Sequence, residues 1–286
     1  MDNLRGSLLM ILAMAGFALE DLCLKIAARG LPVGQVLLIF GAGGMICFAA
    51  LATLKGQNLL DPRHMGRAVL IRAGFEVTGR MFHTLAIALI PLSAASAILQ
   101  ATPLVVVAGA ALIFGERVGW RRWLAIGVGF LGVMVVLRPG LEGFDILSLL
   151  AVAGMLGFAG RDLATRAAPR TVPNLVLGVY GFAMILPAGA LLLSLTGGAR
   201  WPDGTEALAL AVAVLIGVGS YNALTGAMRM GDVSVVTPWR YTRLVFALIL
   251  AALVLGERAD TMTLIGSAII VGSGLYTLWR GRRAAG

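Results

Sequence analysis

MLGFAGRDLATRAAPRTVP, from Met155 to Pro173, echoes MAGFALEDLCLKIAARGLP, from Met14 to Pro32, at a constant offset of 141 residues. Nine of the nineteen positions are identical without a gap, among them Gly16/Gly157, Phe17/Phe158, Asp21/Asp162 and Pro32/Pro173. The same offset carries Gly115-Glu116-Arg117 onto Gly256-Glu257-Arg258. Self-similarity at a fixed period marks one structural unit written twice. The expected units are residues 1–141 and 142–286.

Apolar residues make up 59% of the chain and charged ones 13%, against about 45–50% and about 25% in soluble domains. Mean hydropathy is +0.93. This composition predicts an integral membrane protein. The charge of +9 then reports loop orientation and argues against a nucleic-acid partner. Cys23 and Cys47 lie in apolar runs, where a free cysteine acts as a small buried hydrophobe, so neither a disulfide framework nor a metal site is expected. Met1 to Ala15 imitates a signal peptide, but its removal would delete the helix whose copy stands at Met155.

A spanning helix needs about 20 mostly apolar residues, and ten stretches qualify. They are Ser7–Ala28, Val33–Leu54, Ala68–Ile90, Leu92–Phe114, Trp120–Leu137, Ile146–Ala167, Asn174–Leu195, Ala207–Met228, Val233–Leu255 and Thr261–Trp279. Prolines 32, 91, 139 and 173 punctuate their ends. With the N-terminus inside, inner segments carry 14 basic residues and outer loops 5, so both termini are expected in the cytoplasm. Five spans per repeat is an odd number, so the second copy crosses the membrane in the opposite sense. Such inverted repeats give many secondary transporters two nearly equivalent states around a site at the midplane.

Charges inside the spans point to that site, because an arginine at membrane depth costs at least about 2.5–3.5 kcal/mol without a partner or water. Glu76, Arg80 and His83 share one face of the third span. Either Glu76 and Arg80 neutralise each other, or Arg80 lines a cavity with Glu76 orienting it, and His83 is a packing residue or part of that lining. The offset places Arg80 on Tyr221, beside Asn222, in the eighth span. Pro103 and Pro238 interrupt the fourth and ninth spans, and Gln100 and Tyr241 hold equivalent places beside the breaks. Trp239, Arg240 and Arg243 follow; the arginines either meet substrate or reach for lipid phosphates. Asp21 and Asp162 each precede a base by four residues, Lys25 and Arg166, which favours helix-end ion pairs. A gating or proton-coupling role for Glu20, Asp21, Glu76 or Asp162 is the alternative. Glu116 and Glu257 are expected to serve turns or caps.

The paired five-span repeats, the two Gly-Glu-Arg elements and the Gly-Phe-Ala…Asp…Lys/Arg openings resemble the drug/metabolite transporter superfamily, in its ten-helix EamA branch, over nearly the whole chain. That resemblance implies a monomeric carrier in a bacterial inner membrane, with a central cavity lined by spans one, three, four, six, eight and nine. The chain looks like amino-acid exporters of the YddG type. Leu163 to Arg170 and Thr237 to Tyr241 are also similar to riboflavin and S-adenosylmethionine carriers. The expectation is a transporter of amino acids, aromatic and neutral ones in the outward direction, whose carboxylate pairs with Arg80, Arg240 or Arg243. Import of a larger metabolite is the alternative. An enzyme is disfavoured, since no metal cluster, cofactor motif, nucleophile–base pair or phosphate loop stands in the sequence.

Overall fold

A computed structural model describes residues 2–59, 66–115, 118–138, 145–167, 173–230 and 236–285. Among them the secondary structure is helical throughout. The helices are α1 (Asp2–Ala27), α2 (Val33–Leu54), α3 (Arg67–Leu89), α4 (Leu92–Leu99), α5 (Thr102–Phe114), α6 (Trp120–Leu137), α7 (Ser148–Ala167), α8 (Asn174–Thr196) and α9 (Gly204–Met230). A 3-10 segment, Thr237–Tyr241, then leads into α10 (Thr242–Leu255), and α11 (Thr261–Ala285) follows. These match the ten expected spans, with the fourth divided into α4 and α5 and the ninth into the 3-10 segment and α10.

Among the described residues five helical stretches are long and apolar enough to cross a membrane: Leu4–Ala27, Val33–Leu54, Leu92–Phe114 (α4 with α5), Asn174–Thr196 and Gly204–Ala227. Helices α3 and α7 carry Arg72, Glu76 and Arg80, and Arg161 and Asp162, which depresses their hydropathy. Those charges turn toward the centre of the bundle. Its outside carries Leu8, Leu12, Ile46, Leu215 and Leu253, an apolar surface suited to acyl chains and costly in water.

Both broken spans follow from backbone chemistry. Pro103 has no N–H to give Leu99, and the Thr102 hydroxyl bonds that carbonyl instead, at 2.5 Å. Gln100 and Ala101 bridge the gap with i+3 bonds to Ala97 and Ile98. In the ninth span Thr242 bonds the Trp239 carbonyl at 2.6 Å; the side chain of Pro238 lies outside the described residues. The two Gly-Glu-Arg elements begin with Gly115 and Gly256, the left-handed C-caps of α5 and α10, at φ 67° and 68°. Glu116 and Arg117 lie outside the described residues.

Helices pack in crossed pairs: α1 along α9, α3 along α7, α2 along α8, and α6 along α11. Small residues permit the closest of these approaches. A Cβ on Gly154 would stand 2.8 Å from the His83 nitrogen, so α7 lies directly against the backbone of α3. Phe40 and Phe48 meet Phe182 at 5.2 and 5.5 Å between ring centroids, filling the α2–α8 seam. Helix α4 touches both α7 and α10, so the two breaks face each other at the centre.

Candidate functional site

At the centre lies a network of charges supplied by α1, α3, α7, the 3-10 segment and α10. Glu20 and Asp21, adjacent on α1, are both fully buried. Glu20 pairs with Arg80 of α3. Asp21 accepts from Arg243 at 2.6 Å through one oxygen and meets His83 Nε2 at 3.2 Å with the other. Glu76 stands between Arg72, 3.4 Å away, and Arg161 of α7, at 3.3 Å. One oxygen of Asp162 accepts from Arg161 Nη2 and Nε at 2.8 and 3.0 Å; the other lies 3.4 Å from Arg240. Arg72 also donates to Thr165 and to the Tyr221 hydroxyl, tying α3 to α7 and α9.

Aromatic faces cushion the guanidinium groups. Arg80 lies 4.9 Å from the Phe40 centroid, Arg161 5.0 Å from Phe158, and Arg243 5.3 Å from Phe17. Phe17 and Phe158 are equivalent positions of the sequence repeat; Phe17 supports Arg243, and Phe158 supports Arg161 and, at 5.8 Å, Arg80. Removing such charges from water is compensated only by close partners. Several buried atoms here nonetheless have no protein partner: Glu20 Oε2, Arg80 Nε, His83 Nδ1, Thr84 Oγ1, Tyr241 Oη and Arg243 Nε. Such atoms are rare in packed interiors and fit a site that exchanges its partners.

Most sequence candidates meet in this network, though with partners other than those expected. The Glu76–Arg80 pairing is replaced by Glu76 with Arg72 and Arg161, and Arg80 with Glu20. Asp21 turns from Lys25 toward α3 and α10; Asp162 pairs with Arg161 and Arg240, and the Arg166 side chain lies outside the described residues. Gln100 bonds the Tyr241 carbonyl at 3.1 Å, joining the two breaks. Two candidates stand apart. Asn222 bonds the Val218 carbonyl of its own helix and shares an exposed stripe with Leu208 and Leu215, and Trp239 is 42% exposed. Arg72 and Arg161 were not among the candidates. Arg72 lies within α3, as within the third expected span, and Arg161 occupies the repeat position of Glu20.

A second polar set closes one end of the bundle. Lys25 Nζ, at the last turn of α1, donates to the carbonyls of Ile87 and Ile90 at 2.8 and 2.7 Å and lies 3.3 Å from Glu257. Glu257 Oε2 accepts from Leu92 N at 2.8 Å, capping α4 as expected of a cap residue. The same end holds Arg138 on Asp260 and Arg200 on Glu206. An apolar groove of about 400 Å³ between α6 and α11 is bordered by Trp120, Leu124 and Tyr276 and offers lipid-like chemistry.

A helical bundle with an apolar exterior and buried charges between interrupted helices is the build of a membrane carrier. The EamA-like transporter family matches residues 4–138 and again 146–279. The chain belongs to that family and is a multi-pass membrane transporter of the drug/metabolite type. It is 29% identical to a riboflavin transporter of Vibrio cholerae, covering 98% of this chain and 95% of that protein. Identity is 27% to a riboflavin transporter of Rhizobium johnstonii, over 96% and 90% of the two chains. An S-adenosylmethionine uptake transporter of Rickettsia felis is 26% identical over 70% of this chain and 68% of its own. A solved crystal structure, 22% identical, shares the fold with a TM-score of 0.69 over 98% of this chain and 99% of that one.

Proposed function

We propose that the chain is a secondary carrier that works by alternating access of two inverted five-span repeats, and that it moves a metabolite of the size of riboflavin or S-adenosylmethionine. The observation that carries the reading is the buried network of ion pairs at the junction of the two interrupted spans. Fixed structural charges gain little from being buried and are often replaceable by apolar side chains. Charges that must alternately hold a ligand and one another have a reason to be there.

The packing supports the inversion. Shifting every span by five maps the α1–α9 contact onto α7–α3, and leaves α2–α8 and α6–α11 paired with themselves. At residue level Gly16 packs on Ser220 and its repeat mate Gly157 packs on Gly79, the mate of Ser220. Gln100 bonds its own mate, Tyr241, as residues on a two-fold axis do. An odd number of spans per half lays that axis in the membrane plane, with both termini cytoplasmic by the distribution of basic residues. The Lys25–Glu257 contacts support a state closed at the outer end.

Relatives named for riboflavin and S-adenosylmethionine over most of the chain favour these substrates over the amino-acid export first expected. Amino acids stand as the second reading, favoured by Arg243 over the Phe17 ring. Counterflow in proteoliposomes tests both: vesicles loaded with unlabelled riboflavin, S-adenosylmethionine or tryptophan should accumulate the labelled form of one of the first two. Accumulation of tryptophan alone would transfer the assignment to the second reading, and accumulation of none would reject both.

A further inference from the structure

The central network does not, among the described residues, balance its own charge. Among the described residues it holds five guanidinium groups, Arg72, Arg80, Arg161, Arg240 and Arg243, against four carboxylates, Glu20, Asp21, Glu76 and Asp162. Sharing out the partners leaves Arg72 and Arg240 with the longest carboxylate contacts, 3.4 Å each, and Arg72 has Thr165 and Tyr221 besides. Glu20 takes Arg80, Asp21 takes Arg243, and Glu76 lies between Arg72 and Arg161. Asp162 commits one oxygen to two bonds from Arg161. What remains for Arg240 is a 3.4 Å approach from the other oxygen.

Arg240 is also the most exposed of the five, its side chain 25% accessible against 4% for Arg72 and 15% for Arg243. It sits in the 3-10 segment that interrupts the ninth span, its backbone carbonyl facing Gln100 at the end of α4. The equivalent position in the first repeat is Leu99, so the two halves offer the passing molecule one cation rather than two. An unmatched charge at membrane depth is unfavourable until an anion meets it.

We infer that Arg240 is the docking point for a single anionic group, carboxylate or phosphate, on the transported molecule, and that Asp162 is the stand-in that holds it between cycles. The guanidinium fork matches either oxyanion in two-pronged geometry. The role in transport rests on the carrier reading; the binding chemistry does not. A neutral flavin gains nothing from this anchor, whereas S-adenosylmethionine, an amino acid or a phosphorylated flavin does.

The probes are acetate and inorganic phosphate, added to the purified full-length protein in detergent against chloride at equal ionic strength, with thermal unfolding as the readout. Wild type should show a saturable rise in unfolding temperature with at least one of them, and which one responds separates carboxylate from phosphate. Arg240→Gln should lose the rise and Arg240→Lys should keep part of it, while Arg67→Gln, an exposed cation outside the network, should behave as wild type. Removing the stand-in with Asp162→Asn should tighten anion binding about tenfold, as expected for loss of one competing charge of about 1.4 kcal/mol. A rise in Arg240→Gln equal to wild type, no rise in wild type, or weaker binding in a folded Asp162→Asn would each overturn the anchor. If Asp162→Asn does not fold, the Gln and Lys variants at 240 decide. A wild-type protein that binds the anion but shows no counterflow rejects the carrier reading and leaves the anchor standing.

Discussion

Glu20 and Arg80 show what a buried pair demands of its two residues. Removing one partner strands the other in a medium that cannot solvate it, at a cost of about 3–5 kcal/mol. Arg80→Gln should therefore destabilise the protein by that amount in denaturant unfolding, and Glu20→Gln/Arg80→Gln should recover most of it. A loss under about 1 kcal/mol for the single variant would mean that the pair is solvated. The four acids of this site and three of its five arginines were legible in the sequence because a charge in an apolar span is too costly to stand there without a partner or a task. Their pairing was not. Helical spacing relates Glu76 to Arg80 and Asp21 to Lys25, but says nothing about a crossing helix, and it is α10 and α7 that deliver Arg243 and Arg161. Arg72 lies inside the third expected span and was passed over because basic residues near a span end are read as reporting orientation.

At the scale of elements, the breaks in the fourth and ninth spans followed from proline, since a missing N–H leaves a carbonyl that something else must satisfy. Thr102 performs that task on Leu99, and this was beyond reach of the sequence because a threonine next to proline has several ways to bond. The closeness of α3 and α7 was likewise hidden among 38 glycines. It yields a prediction: Gly154→Val places atoms where the His83 backbone already stands. Overpacking of this kind costs about 1–3 kcal/mol, and should lower the unfolding temperature, whereas the same change at Gly127, where a Cβ meets nothing within 4 Å, should be tolerated. Equal effects at the two sites would contradict the packing. At Gly256 the φ of 68° makes any side chain strained, so Gly256→Ala should cost about 1 kcal/mol, measured in the same way.

For the whole molecule, the internal repeat and its odd span count are the ground for the proposed inversion, while the proposed anion rests on charges whose surplus appears only when every pair among the described residues is drawn. The Lys25–Glu257 contacts close one end over α3 and α4, so the proposed alternating access requires that they part. Lys25→Met should remove that restraint and raise the fraction of molecules open at that end. The most direct measurement places a cysteine at Thr84, a wholly buried residue between Arg80 and Ile87 on α3, after Cys23 and Cys47 are replaced. A membrane-impermeant maleimide is then applied to sealed vesicles of each orientation. Two inverted halves alternating around a shared centre require labelling from both sides of the membrane; labelling from one side only, or from neither, would contradict them.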